Sequence, residues 1–157
     1  MPDKKQKAWD AAKKIRDAEF DQRDKEIKKW DFLYAEYKKA IAINDKAGAS
    51  ALSDELSKQS QVVSRCFAMI SGKIKAMGAL QDAKTLKAAD DAIDKLVREE
   101  IDELFAILAG MFPGVLEGIF KKKFAPVGKN QNAFEKAYLI LLEIKGKQEI
   151  ESIVDAA

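Results

Sequence analysis

Histidine is absent from this chain of 157 residues, cysteine occurs once, at Cys66, and proline three times, at Pro2, Pro113 and Pro126. Each shortage closes off chemistry. Without an imidazole there is no Ser-His-Asp triad, no Cys-His pair, no HExxH zinc site and no Glu-x-x-His pair for a diiron centre in a helical bundle. A lone thiol excludes an intramolecular disulfide and fits a reducing compartment. Placed between Arg65 and Phe67 in an apolar row, Cys66 reads as a small core residue. The eight glycines are scattered and form neither GxGxxG nor GxxxxGK[ST], which disfavours nucleotides. No cofactor, no metal and no small-molecule substrate are therefore expected.

Charge of one sign is lacking too. Lys and Arg number 28 against 26 Asp and Glu, a net charge of +2 that supplies no global field for nucleic acid or anionic lipid. The opening residues, MPDKKQKAWDAAKK, have no apolar signal-peptide core, so the chain is expected to be cytoplasmic, or exported without a cleaved signal peptide.

What is present is the composition of long helices: Ala, Lys, Glu, Asp and Leu with few breakers. The expectation is a single all-α domain over residues 1–157, a four- or five-helix bundle with a long N-terminal helix and no convincing internal repeat. The first helix runs from about Asp3, its N-cap, to Ile43, with Asn44 to Gly48 as its exit. Phe20, Ile27, Tyr34 and Ile41 recur every seven residues, with Trp30 and Tyr37 on the adjacent row, the pattern of a coiled-coil or bundle seam. Between Lys4 and Phe20 the only large apolar residues are Trp9 and Ile15, so residues 1–19 are expected to project from the bundle or dock on a partner. A second helix spans about Ser50 to Met77, stopped by Gly78. A third starts near Asp82 and ends before Pro113. A short amphipathic segment, Val115 to Phe124, leads to a loop at Ala125 to Asn130, and a last helix opens at Asn132 with a capping-box-like start.

One segment stands apart. Leu104 to Phe120 reads LFAILAGMFPGVLEGIF and carries a single charge, Glu117. A straight helix of that length spans about 25 Å against about 30 Å of bilayer hydrocarbon, and Pro113 divides it, so it is no ordinary transmembrane helix. Leu104, Phe105, Leu108, Met111, Phe112, Pro113, Leu116 and Phe120 form either a kinked helix pair buried in the core, the reading expected, or a hairpin held for a membrane or partner.

Acidic residues crowd the third helix: Asp90, Asp91, Asp94, Glu99, Glu100, Asp102 and Glu103. Glu99 with Glu103, or Asp91 with Asp94, share a face and offer oxygen ligands of the kind Mg²⁺ takes. Over five residues, the Glu-Glu-x-x-Glu run at 99–103 resembles the first half of the metal site in all-helical nucleotide pyrophosphatases of the MazG type. The resemblance implies a second Glu-x-x-Asp element downstream, which is missing: Glu117, Glu135 and Glu143 have no Asp three residues on. A solvated charged face is the expectation instead. Basic residues cluster at Lys4, Lys5, Lys7, Lys13, Lys14 and Arg16 around Trp9, and at Lys121 to Lys123 before Phe124, a pattern compatible with phosphate contact beside an aromatic. Interleaved Asp10, Asp17, Glu19 and Asp21 weaken the first cluster.

The function these readings favour is a non-enzymatic interaction or assembly module, working by helix packing with a partner protein or with itself. Trp9, Phe20, Ile27, Trp30, Tyr34, Tyr37 and Ile41 are the expected contact residues. A membrane-active protein using residues 104–120 is the first alternative, and a nucleic-acid-binding protein using the N-terminal Lys and Arg is the second.

Overall fold

The computed structural model describes the backbone of residues 3–120 and 129–157 and the side chains of residues 3–110 and 134–157. Among the described residues there are four helices and no strand: α1 (Lys4–Ala42), α2 (Lys46–Asp82), α3 (Leu86–Phe120) and α4 (Lys129–Ala156). The all-α bundle expected from composition is the architecture observed.

Local chemistry sets the ends. Asp3 caps α1, its Oδ1 accepting the Lys5 N–H at 3.2 Å. At 39 residues α1 is about 58 Å long. It stops where Asn44 takes a left-handed φ of 59°, a conformation Asn tolerates better than most side chains. Asp45 then starts α2, its Oδ1 accepting the Gly48 N–H at 2.9 Å. Two residues that favour turns and caps thus fold α1 back along α2 as a hairpin. Thr85 starts α3 by the same device, with the Ala88 N–H donating to Oγ1 at 3.1 Å.

The core lies at one end of this hairpin. Ala8 and Ala12 of α1 meet Ala76, Met77 and Leu80 of α2, Ala89, Ile93 and Val97 of α3, and Ile144, Ile150 and Val154 of α4. Residues 4–19 therefore dock on the bundle and do not project from it. Large side chains are scarce there because α1 approaches closely enough for alanine to fill the space. Lys5 adds a tie by donating from Nζ to the Gln81 carbonyl at 2.9 Å, and Trp9 packs half-buried against the cluster.

Several expected boundaries move. Helix α2 runs through Gly78 to Asp82, because no backbone position there needs a turn, and α3 starts at Leu86. Helix α3 runs through Pro113 to Phe120, so residues 104–120 are not a hairpin. Proline removes one backbone bond, to the Ala109 carbonyl, whereas a break would open eight helix-end groups. Helix α4 begins at Lys129, which places Asn132 inside it, not at its cap. Residues 121–128, with the remainder of the expected Val115–Phe124 segment and most of the expected loop, lie outside the described residues.

Candidate functional site

Helices α2 and α4 cross at two glycines. A Cβ added to Gly72 would lie 2.0 Å from the carbonyl oxygen of Glu143, and one added to Gly146 would lie 2.5 Å from that of Met69. Each glycine therefore meets the backbone three residues before the other. The residue after each glycine is a buried lysine: Lys73 is 1% exposed and Lys147 2%. Each lysine pairs with a glutamate on the helix preceding its own, Lys73 with Glu19 of α1 at 2.9 Å and Lys147 with Glu100 of α3. The sequence Ile-x-Gly-Lys thus occurs twice, at 70–73 and 144–147, with both isoleucines buried. The recurrence is readable in the sequence, but only the crossing of α2 and α4 shows that the two copies meet.

The two halves differ in charge. Lys73 also reaches Glu149 at 3.0 Å. Lys147 has Glu143 at 3.7 Å, but Glu143 is shared with Lys75. Burial, reinforced by the nearby Lys75 ammonium and opposed by Glu99, lowers the Lys147 pKa to about 8. Both lysines are enclosed by protein and held by carboxylates, so the geometry makes them structural ions.

Of the acidic residues on α3, the structure gathers Asp90 with two from α4. Oxygens of Asp90, Glu151 and Asp155 lie within 4.8 Å of one another. A hydrogen bond with Asp155, then burial, then the Asp155, Asp91 and Asp94 charges raise the Asp90 carboxyl to about 6. Burial first, and then the same neighbours, also raises Glu151. One Glu151 oxygen is buried without a hydrogen-bond partner. The Glu99–Glu103 run is different: Glu99, Asp102 and Glu103 are exposed, while Glu100 is neutralised by Lys147. Glu151 and Asp155 share a face of α4 by their four-residue spacing, but nothing in the sequence sets that face against Asp90.

Away from the core, the α1–α2 hairpin is held by polar and aromatic contacts. Trp30 Nε1 donates to Ser60 Oγ at 2.9 Å. Its ring stacks on Tyr34 at 5.1 Å, and Tyr34 stacks on Tyr37 at 6.5 Å. Ile27 and Trp30 line a shallow groove with Val63 of α2. The Arg23 guanidinium covers both Phe20, at 4.9 Å, and Phe67, at 5.4 Å. Glu26 is buried and accepts from Gln59 Nε2 at 2.7 Å, which with the Lys29 and Gln22 contacts holds its carboxyl below the usual range against the opposing cost of burial. The seam of the hairpin therefore follows Glu26, Trp30, Leu33, Tyr37 and Ala40, while the seven-residue row lies at its edge, with Phe20 and Ile27 half-buried and Tyr34 and Ile41 exposed.

Two larger exposures lie off that row. Phe32 is 64% and Ile43 74% exposed. Helical spacing places Lys25, Lys28, Lys29, Glu36 and Lys39 on the same stripe. Phe32 and Leu33 line a groove with Lys28, Lys29 and Gln59. Reading apolar residues only as seam had hidden this surface, although the mixture of Phe32 with lysines at one-turn spacing is present in the sequence.

In the 104–120 segment, Leu104 and Ile107 pack against the edge of the core, Leu108 is half-buried and Phe105 is 62% exposed. The side chains of Met111, Phe112, Pro113, Leu116 and Phe120 lie outside the described residues. Among the described residues no helix is long and apolar enough to cross a membrane. No protein-family model matches the chain, and neither a curated protein nor a solved structure does.

Proposed function

We propose that the chain is a non-enzymatic interaction module whose α1–α2 hairpin seats an acidic amphipathic helix of a partner protein. The observation that carries this reading is the exposure of Phe32 and Ile43 on a stripe with Lys25, Lys28, Lys29 and Lys39, whose positive charge exceeds the negative charge of Glu36 beside Lys39. Neither apolar side chain is used by the bundle core, so their exposure brings the fold no packing energy. An apolar anchor set among lysines fits a helix that presents leucines flanked by glutamates. A second copy of this chain fits less well, because it brings the same lysines against one another. A bilayer is the other anionic surface such a stripe can meet.

The test uses a synthetic helical peptide with a leucine stripe flanked by glutamates, a version with lysines in place of the glutamates, and vesicles containing phosphatidylserine. Titration of the intact protein should give a micromolar-range Kd for the acidic peptide and at least about tenfold weaker binding for the basic one. Phe32→Ser should weaken the acidic peptide by about tenfold or more while the protein's melting temperature stays unchanged. Equal binding of both peptides would remove the charge argument. Vesicle binding or dimerisation lost in Phe32→Ser, without peptide binding, would replace the partner helix by lipid or by a second copy.

A further inference from the structure

The carboxylate cluster at the base of the bundle lies far in sequence from the α1 stripe and does not depend on it. Three acids from two helices occupy one site: Asp90 from the second turn of α3, Glu151 and Asp155 from the last two turns of α4. The charged groups facing them among the described residues are Asp91, Asp94 and Arg98 of α3. Arg98 is the one cation of this set, and it is drawn off by Asp94 at 2.9 Å. Fully ionised, the cluster places like charges in contact with one Glu151 oxygen already without a partner. With one proton on the cluster, Asp90 and Asp155, whose oxygens lie within 4.8 Å of each other, no longer repel across the helix pair and can share that proton.

We propose that Asp90, Asp155 and Glu151 form a proton-operated latch that fastens the C-terminal end of α4 to α3 in mildly acidic surroundings and releases it near neutrality. The direction follows from linkage. The Asp90 carboxyl rises from 3.8 to about 6 on folding, so its contribution to stability is complete below the lower value and is lost as pH climbs through the higher one. The composition isolates this effect. With no histidine in the chain, no side chain of ordinary pKa titrates between about pH 5 and pH 7.5. Among the described residues the carboxyl raised into that window is Asp90, at about 6, whereas Lys147, at about 8, loses its proton mainly above it.

The experiment compares the intact protein with Asp90→Asn, which keeps the size of the side chain and supplies a permanent N–H donor to Asp155. Melting temperature is read across the same window. Amide exchange of residues 86–94 and 150–156 is followed in parallel and corrected for the intrinsic pH dependence. In the wild type the melting temperature should fall as pH rises, and corrected exchange in both segments should increase at least about threefold. Asp90→Asn should give a clearly shallower slope in both measurements, the remainder belonging to Glu151, and melt above the wild type at the neutral end. Should Asp90→Asn not fold, Asp155→Asn, at an exposed position, provides the same comparison. A wild-type profile without slope, or an Asn variant with the wild-type slope, overturns the latch. A melting temperature raised by about 1 mM Mg²⁺ or Ca²⁺ at the neutral end, and not in Asp90→Asn, overturns it differently, by showing that the oxygens hold a cation and not a proton.

Discussion

At the base of the bundle four helices close around Leu80, Ile93 and Ile150, none of them measurably exposed, whereas the distal half of the α1–α2 hairpin buries only Glu26, Ala40 and Ala49. Both regions are built from long helices. The difference lies in how many helices share the burial. Two helices can cover one seam but not surround a side chain, so the hairpin relies on a buried Glu26–Gln59 contact, a Trp30–Ser60 hydrogen bond and stacked rings. Four helices can surround one, and there aliphatic burial of roughly 25 cal/mol per Å² dominates. Aliphatic burial is concentrated at the base, while large exposed apolar side chains occur in both regions, Phe32 and Ile43 on the hairpin and Phe105, Tyr138 and Leu141 on α3 and α4.

The sharpest way to break this contrast is at the helix crossing. Gly72→Leu would place its Cβ 2.0 Å from the Glu143 carbonyl oxygen, and since backbone cannot yield as a side-chain tip does, α2 and α4 must separate. Urea denaturation should show a loss of more than about 3 kcal/mol, or no folded protein. Gly78→Ala is the control, because nothing lies within 4 Å of the added methyl. It should gain a few tenths to about 1 kcal/mol from helix propensity. Equal stability of the two variants would show that the close approach is not required.

Next come truncations in each region. Ile150→Ala at the base should cost about 2 to 4 kcal/mol, whereas Trp30→Ala, half-buried with one side-chain hydrogen bond, should cost about 1 to 2 kcal/mol. Amide exchange should report the second loss in residues 20–65 with the base still protected. A Trp30 variant that costs as much as the Ile150 variant would make the hairpin part of one cooperative core.

How far the sequence led follows the same division. Helix content, the Asp3 cap and the Asn44–Asp45 turn are local chemistry and were legible. The docking of residues 4–19 was not, because Ala8 and Ala12 look unremarkable until a neighbouring helix closes on them. Gly72 and Gly146 were passed over for a related reason: a glycine inside a helix costs about 1 kcal/mol and announces nothing about its partner. Pro113 misled in the opposite direction, since a residue that usually ends helices was given more weight than the turns on either side of it. Asp90 was visible among its acidic neighbours, but its coupling to Glu151 and Asp155 depends on the return of α4. Phe32 was present in the pattern and was lost because the row of Ile27, Tyr34 and Ile41 accounted for the aromatics too readily.

A smaller effect separates the regions by acid. The Glu26 carboxyl is held below its ordinary value, first by Gln59, so its contribution is complete above that ordinary value of 4.5 and is lost as pH falls through the lowered one. Glu26→Gln should therefore melt with a weaker dependence on pH below about 4.5 than the wild type, with little change at neutrality. An unchanged acid limb would remove Glu26 from the account of the hairpin. Smallest of all, Phe32→Ser should alter stability by less than about 0.5 kcal/mol, the range of ordinary surface substitutions. A larger loss would mean that the exposed stripe is part of the fold.

The crossing has a kinetic consequence. The α1–α2 hairpin closes through one tight turn, but Gly146 can meet Met69 only after the whole of α3 has been laid down between them. Contacts of such long sequence separation form late, so the crossing should be absent from the folding transition state and present only beyond it. In stopped-flow measurements Gly146→Ala should speed unfolding far more than it slows refolding, and the reverse would place the crossing in the nucleus. The lifetime of the folded molecule, as distinct from its rate of assembly, is then governed by the contact between two glycines and two carbonyl oxygens.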